Sequence, residues 1–257
     1  MIYVKNICKS FDGKAVLKNI STVFDKGKTN LIIGRSGSGK TVLMKTLIGL
    51  IRPESGEILY GTRNLTSMKK SELNNLRREM GMLFQGSALF DSMTVIENVM
   101  FPLIMFTNVS KKDREKRAKF CLERVNLTDV DNLSTGELSG GMMKRVAIAR
   151  AIALNPDYLF CDEPNSGLDP KTALLIDDLI HDITKEYNIT TVINTHDMNS
   201  VMNIGESIIF IHEGEKAWEG TKNEIMTSTN KKLNDFIFAS DLFKKVKEVE
   251  NLFYEEG

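Results

Sequence analysis

Residues 34 to 41 read Gly34-Arg35-Ser36-Gly37-Ser38-Gly39-Lys40-Thr41, between an apolar run at 31–33 and a segment of helical character that begins at Lys40. Glycines allow successive backbone N–H groups to converge on phosphate oxygens, and the N-terminus of the following helix adds partial positive charge. The Lys40 ammonium then reaches the β- and γ-phosphates of a nucleotide, and the Thr41 hydroxyl is a ligand for Mg²⁺. The alternative is a glycine-rich turn with a solvated lysine, which the flanking strand and helix disfavour. The segment therefore predicts a nucleotide phosphate loop.

A second candidate site follows the apolar run at 158–161, which ends in Asp162 and Glu163. Phosphoryl transfer to water needs one acid that holds Mg²⁺ through water and one that orients or deprotonates the attacking water. We assign the metal role to Asp162 and the water role to Glu163. Taken alone, this pattern more often marks a strand that leads into a solvated loop. The phosphate loop upstream favours the catalytic interpretation.

A third candidate is the Ser-Gly-Gly turn at Ser139, Gly140 and Gly141, which opens a segment of helical character. Such a turn offers N–H groups and a hydroxyl to an anion, by the same physics as the phosphate loop. Taken alone, it is more often a helix cap made by the Ser139 side chain. The other motifs in the chain favour the anion-binding interpretation.

The remaining pattern predicts an α/β domain. Apolar or alternating segments predict strands at 3–7, 16–24, 31–33, 57–60, 80–84, 158–161 and 190–194. Helical spacing predicts helices at 40–50, 170–185 and 231–250, and a helical lobe from about 86 to 155. Strands that alternate with helices imply a mostly parallel sheet covered by helices.

The composition argues against several classes of protein. A chain of 257 residues with 42% hydrophobic residues buries a sizeable core, and 34 basic against 34 acidic residues leave no excess charge for nucleic acid. The three cysteines, Cys8, Cys121 and Cys161, lack paired spacing and are typical of reduced thiols. The longest apolar run, 99–106, is far shorter than the roughly 20 residues of a membrane-spanning helix. We expect a cytoplasmic protein that reaches a membrane only through a partner.

Taken together, the motifs resemble those of the ATP-binding-cassette (ABC) ATPases. The resemblance covers about residues 2 to 228 and rests on the phosphate loop and five further features in the same order: Gln85 at a strand end, residues 138–141, Asp162-Glu163-Pro164, Ser166-Gly167-Leu168-Asp169 and His196. It implies an α/β fold of the P-loop NTPase class, an ABC-type nucleotide-binding domain with an antiparallel β subdomain and an inserted helical lobe. The expected domains are an ATPase at 1–228 and a C-terminal amphipathic helical extension at 229–257.

The resemblance also implies roles for single residues. ATP and Mg²⁺ are the expected cofactors, with Mg²⁺ held by Thr41, Gln85 and Asp162. Glu163, His196 and Gln85 form the catalytic group, in which His196 binds the γ-phosphate and Gln85 senses Mg²⁺ and the attacking water. In this family two copies meet head to tail, so the Ser139, Gly140 and Gly141 turn contacts the ATP held by the other copy. Asp169 links the two sites, and Phe11 stacks on adenine or, as the alternative, belongs to the core.

The segment 84–103 and Met142, which follows the Ser-Gly-Gly turn, resemble one subfamily, the Mla-type ATPases of phospholipid transporters that maintain outer-membrane lipid asymmetry. This resemblance implies an integral membrane permease as partner, with lipid-binding and regulatory subunits, and a position on the inner face of the cytoplasmic membrane. The apolar side chains of this region either line a groove for a permease helix or belong to the core of the helical lobe. They are Leu89, Phe90, Met93, Phe101 and Met105.

Two alternatives stay open. One is a cassette of a different ABC importer or exporter. The other is a soluble ABC clamp or assembly factor, which the lack of a coiled-coil insertion, a second cassette or paired cysteines disfavours. The tail at 231–257 departs from the family pattern. Its apolar stripe either packs on its own domain or reaches another subunit.

Overall fold

The computed structural model of the protein describes residues 1–238 and contains two β-sheets joined by helices. The strands are β1 (Ile2–Phe11), β2 (Lys14–Phe24), β3 (Thr29–Ile33), β4 (Ser55–Tyr60), β5 (Arg63–Asn64), β6 (Met80–Leu83), β7 (Tyr158–Asp162), β8 (Thr190–Thr195), β9 (Ser207–His212) and β10 (Glu215–Gly220). The helices are α1 (Lys40–Leu47), α2 (Lys70–Arg78), α3 (Val95–Phe106), α4 (Lys111–Arg124), α5 (Gly140–Ile152), α6 (Pro170–Glu186), α7 (Met198–Ile204), α8 (Lys222–Thr227) and α9 (Lys231–Ile237).

The larger sheet has six strands in the order β10-β9-β3-β8-β7-β6, all parallel except for β10. Its register aligns Ile33 with Thr195 and Asp162 with Asn194. Because parallel strands end at the same edge of the sheet, the segments that follow β3, β7 and β8 meet there. The predicted phosphate loop, the two carboxylates and His196 all lie in those segments.

The smaller sheet, in the order β2-β1-β4-β5, is antiparallel and confirms the predicted β subdomain. It shares one apolar core with α1 and with one face of the larger sheet, so the phosphate loop rests on a rigid base. The core side chains that join the three parts include Ile20, Ile58, Leu43, Leu47, Ile32 and Phe160.

Helices α3, α4 and α5 form a second apolar cluster with the other face of the larger sheet. All three helices fall inside the helical lobe predicted at 86–155. Each begins at a side-chain cap, made by Thr94, Ser110 and Ser139, that accepts a hydrogen bond from a backbone N–H three residues later. The domain boundaries themselves remain a prediction.

Several elements differ from the sequence-based expectation. The polar stretch after residue 64 contains helix α2, in which only Leu76 is buried, so its apolar periodicity is nearly absent. The sequence pattern also predicts no element at strands β5, β9 and β10 or at helices α7 and α8. The terminal helix begins at Lys231 as expected and ends at Ile237 in the structure; the rest of the predicted helix lies outside the described residues.

The cysteine prediction is confirmed: all three thiols are free, Cys121 and Cys161 are buried, and Cys8 is half-buried. Burial raises the pKa of the Cys121 thiol to about 11, which keeps it protonated and unreactive. Across residues 1–238, no helix combines the length and the apolar character needed to cross a membrane.

Candidate nucleotide site

The phosphate loop connects β3 to α1 with a backbone that requires glycine at two positions. Gly39, at the N-cap of α1, has a φ of 109°, and a Cβ there would lie 2.9 Å from the Val16 carbonyl oxygen. A Cβ on Gly34 would lie 2.3 Å from the Ile211 carbonyl oxygen. The buried Ser38 hydroxyl has no hydrogen-bond partner among residues 1–238. The loop therefore offers its backbone N–H groups at the cavity, which suits phosphate oxygens.

The Lys40 ammonium is buried within the loop, with 7% of the residue exposed. It donates hydrogen bonds to the carbonyl oxygens of Gly34 at 2.8 Å and Arg35 at 3.2 Å. Burial lowers its pKa from the ordinary value, and the Glu163 and Asp162 carboxylates partly oppose that shift. A phosphate group would place further negative charge beside this desolvated ammonium, whose nearest carboxylate oxygen, on Glu163, lies 4.0 Å away.

The two predicted acids lie beside the loop in distinct environments. Asp162 Oδ1 accepts hydrogen bonds from Asn194 Nδ2 at 3.0 Å and from the Thr41 hydroxyl at 3.5 Å. Glu163 lies 2.8 Å from His196 Nδ1 through one carboxylate oxygen and 4.0 Å from Lys40 Nζ through the other. Glu163 also has a φ of 49°, a left-handed conformation that a side chain rarely adopts and that is often found at functional sites.

These groups surround one cavity of about 670 Å³, a size typical of small-molecule sites. Its lining unites most of the predicted residues with three that sequence reasoning missed, Val16, Val42 and Phe236. The predicted residues in the lining are Arg35, Ser36, Gly37, Gly39, Lys40, Thr41, Gln85, Glu163 and His196.

Phe236 and Asn194 are the most informative omissions. Phe236 stacks on Phe210 at 5.2 Å between ring centroids, and Arg35 donates to the neighbouring Asp235 carbonyl oxygen at 3.4 Å. No local pattern reveals that α9 folds back on the phosphate loop. Asn194 does carry a signal, because it is a polar residue near the carboxyl end of a buried strand, and the structure pairs it with Asp162.

Other predicted residues lie outside the cavity lining of the single chain. Ser139 and Gly140 are exposed and Gly141 is half-buried at the start of α5, where the Ser139 hydroxyl accepts from the Met142 N–H at 3.2 Å. Asp169 caps α6 and accepts from the Thr172 N–H at 3.0 Å; the Thr172 hydrogen bonds lower its pKa. Phe11 is 43% exposed at the end of β1, with the Lys9 ammonium 5.2 Å from its ring centroid. Their roles stay predictions.

The residues present fit Mg²⁺ as a nucleotide-borne ion. In the part of the chain that the structure describes, no group of three or more His, Cys, Asp or Glu side chains is arranged to hold a metal ion. The adjacent Thr41 hydroxyl and Asp162 carboxylate instead offer two oxygen ligands. Mg²⁺ commonly binds through one or two protein ligands, with phosphates and waters completing its coordination.

A buried carboxylate supports the loop after Glu163. Asp177 on α6 is fully buried and accepts a 2.7 Å hydrogen bond from Asn165 Nδ2, which also donates to Ser200. Burial raises the pKa of Asp177 to about 6, and the hydrogen bonds from Ser200 and Asn165 only partly offset that shift. Because its pKa is about 3.9 in an unfolded chain, the folded protein loses stability as pH rises through about 4 to 6.

We expect Asp177→Asn to stabilise the protein at neutral pH, since the amide keeps an acceptor for Asn165 and removes the buried charge. From the two pKa values, the stabilisation is on the order of 2–3 kcal/mol above pH 6 and disappears near pH 4. Urea unfolding across this pH range measures it, with the exposed neighbour Asp178→Asn as control. A stability difference that does not change with pH would contradict the assignment.

The fold and this site define a phosphate-loop ATPase whose sheet edge holds a carboxylate–histidine pair next to the loop. A family model described as ABC transporter matches residues 17–166, and the chain belongs to the ABC transporter family as an ATP-binding cassette. It binds ATP, with Mg²⁺ as the usual cation, and hydrolyses it. The predicted fold class is thereby confirmed.

Relatives in this family carry different substrates. The chain is 38% identical to the methionine import ATP-binding protein MetN of Clostridioides difficile over 92% of its length and 74% of that protein. It is 35% identical to the intermembrane phospholipid transport system ATP-binding protein MlaF of Haemophilus influenzae, over 92% of its length and 90% of that protein. The dimeric ATP-binding cassette MJ0796, in a post-hydrolysis state bound to ADP and Pi, superimposes with a TM-score of 0.79 at 34% identity, covering 86% of this chain and 99% of that one.

Proposed function

We propose that two copies of this chain close head to tail over ATP and drive a membrane permease that moves phospholipids. One observation supports the dimer above all others: the exposed Ser139 turn lies outside the lining of its own chain's cavity. A helix N-terminus with free N–H groups is a ready anion site, so a second nucleotide-bearing surface is its natural partner. The dimeric state of the structural relative MJ0796 supports the same arrangement.

The chemistry assigns one task to each side chain. Lys40 and the loop N–H groups bind the phosphates, and His196 donates to the γ-phosphate. When the side chains of Lys40 and His196 turn to phosphate, the Glu163 carboxylate loses these two contacts and is free to accept a proton from the attacking water as the bond to ADP breaks. Gln85 orients that water. Thr41, Gln85 and Asp162 would hold Mg²⁺ that arrives with the nucleotide, and the ion would then offset negative charge on the phosphate oxygens.

Replacement of Ser139 by Arg should leave ATP binding to the monomer unchanged and abolish the ATP-dependent dimer, because a bulky cation occupies the surface that meets the other copy. Light scattering with and without ATP measures this. Ser110→Arg is the matched control, since Ser110 is an exposed N-cap of the same lobe with the same 3.2 Å bond to a backbone N–H. An ATP-dependent dimer of the Ser139 variant would exclude the cross-subunit role.

The permease docks in the groove between β6 and the helical lobe. This cavity of about 400 Å³ is lined by four aromatic side chains and two methionines: Phe84, Phe90, Phe101, Phe106, Met80 and Met82. Phe84, Phe90 and Phe106 are each about 40% exposed. Exposed aromatics in a groove favour an amphipathic helix as the occupant. Of the other residues considered for this surface, Met105 is 58% exposed, whereas Leu89 packs against the core.

Phospholipid is the proposed cargo, because segment 84–103 and Met142 resemble the Mla-type ATPases and the MlaF relative aligns along nearly its whole length. The chain then sits on the cytoplasmic face of the inner membrane, held there by its permease together with lipid-binding and regulatory subunits. Methionine import is the second candidate, favoured by the 38% identity to MetN.

Purification of the chain with its permease from native membrane distinguishes the two cargoes. We expect bound phospholipid in the complex, and ATPase activity in proteoliposomes that responds to lipid and is unchanged by L-methionine. Stimulation by L-methionine without lipid dependence would replace the phospholipid assignment. The same purification with the Phe90→Glu variant tests the docking surface. A charge in the groove should prevent the permease from co-purifying, while the variant still binds ATP.

A further inference from the structure

The loop at residues 85–88, which begins with Gln85, has a strained backbone. Residues 85–88 leave β6, and the consecutive residues Ser87 and Ala88 have φ angles of 62° and 50°. Side chains in this left-handed region cost roughly 1–2 kcal/mol each. Two backbone hydrogen bonds within the turn, from Ser87 N–H to Phe84 and from Ala88 N–H to Gly86, partly offset this cost, and contacts from outside the loop add to them.

Two cations of helix α5 supply those contacts. Lys144 Nζ donates to the Gln85 carbonyl oxygen, and the Arg150 guanidinium donates to the carbonyl oxygens of Ser87 and Ala88, each at 2.7 Å. Lys144 is only 4% exposed, a burial that lysine rarely shows without a specific partner. Three of the four carbonyl oxygens in the 85–88 loop, those of Gln85, Ser87 and Ala88, thus accept hydrogen bonds from one helix.

The same helix connects the two functional surfaces. Its N-cap is Ser139, and Arg150 lines the permease groove with its guanidinium 5.8 Å from the Phe90 ring centroid. The opposite end of the loop places Gln85 in the nucleotide cavity. These hydrogen bonds therefore attach the loop that carries Gln85 to the same helix that begins at the Ser139 turn and borders the groove.

We propose that Lys144 and Arg150 are positioning residues that fasten the 85–88 loop to helix α5, so that Gln85 reaches its place when that helix closes on the second copy. This inference rests on the proposed dimeric function. Neither side chain touches the reacting atoms. Their loss should therefore lower kcat, which depends on how Gln85 orients the water and Mg²⁺, and should change the affinity for ATP little.

The test is steady-state ATP hydrolysis by the full chain carrying Lys144→Met, a substitution of similar size without the donor. We expect kcat to fall by about tenfold to 100-fold while KM for ATP stays within about twofold, with a higher Mg²⁺ concentration needed for half-maximal rate. Lys144→Arg keeps a donor and should restore most of the rate. Arg145→Met, the adjacent cation on α5 that faces the Asn126 carbonyl instead, should leave kcat unchanged.

A double-mutant cycle separates positioning from general destabilisation. If Lys144 acts through Gln85, then Lys144→Met has little further effect in a Gln85→Ala background; additive losses would overturn the proposal, as would an unchanged kcat in Lys144→Met alone. Should Lys144→Met fail to fold, Arg150→Lys tests the same clamp, because one ammonium holds the two carbonyls less well than the guanidinium. An unchanged kcat there would refute it.

The two proposals fail in different ways. If the chain never dimerises but the mutant cycle between Lys144 and Gln85 is non-additive, the dimeric function is wrong, and the attachment of the 85–88 loop to α5 by Lys144 and Arg150 still positions Gln85. If ATP-dependent dimers form normally but the losses are additive, the clamp is wrong and the dimer stands.

Discussion

Replacement of Glu163 by Gln lowers ATP turnover by about 100- to 10,000-fold while ATP binding remains, because the amide keeps the shape of the side chain and cannot accept the proton of the attacking water. Its left-handed φ of 49° is as accessible to Gln as to Glu, so the loop keeps its path. Without hydrolysis, the proposed closed dimer does not reopen in the normal cycle. We therefore expect a stable ATP-bound dimer that the wild-type protein forms only transiently.

Two measurements check this expectation, ATP turnover under saturating nucleotide and the mass in solution by light scattering. Glu215→Gln, an exposed change on β10, is the control and should match the wild type in both. Turnover of the Glu163 variant near that of the wild type would remove Glu163 from the role of catalytic base.

Lys40→Ala should abolish the binding of ATP itself, with a rise in Kd of about 100-fold or more, since charge-assisted hydrogen bonds to two phosphates are lost. Lys40 is buried and bonded to the carbonyl oxygens of Gly34 and Arg35, so it is preorganised and cannot be replaced by another cation in the loop. Equilibrium dialysis measures the affinity, and circular dichroism verifies that the fold persists.

The matched control is Lys45→Ala, which removes an exposed ammonium from the last turn of the same helix. Its affinity for ATP should equal that of the wild type. An unchanged affinity in the Lys40 variant would mean that the phosphate loop does not bind phosphate.

The sequence predicts the parts of the site that depend on local geometry. The phosphate loop needs glycine where the backbone has φ of 109° at Gly39, and that requirement is visible as a short motif. Asp162 and Glu163 follow directly from the apolar strand before them, and parallel register places them beside the loop. Strand alternation and the order of the motifs were therefore enough for the fold class.

Contacts between segments that are distant in the chain produce no comparable pattern in the sequence. Lys144 and Gln85 are 59 residues apart, and Arg150 and Ala88 are 62 apart, so only the packing of the lobe on β6 brings them together. Phe236 enters the nucleotide cavity because α9 packs on Phe210. Helix α2 escaped prediction because its single buried side chain, Leu76, gives no periodic pattern.

The dimer is the claim on which the mechanism depends, and the rate of ATP hydrolysis per chain as a function of protein concentration tests it most directly. Analytical ultracentrifugation at each concentration gives the fraction of dimer. The rate per chain should rise in proportion to that fraction and approach zero on dilution, because in the proposed dimer the Ser139 turn of one copy completes the site of the other. A rate per chain that stays constant when every molecule is a monomer would contradict this account.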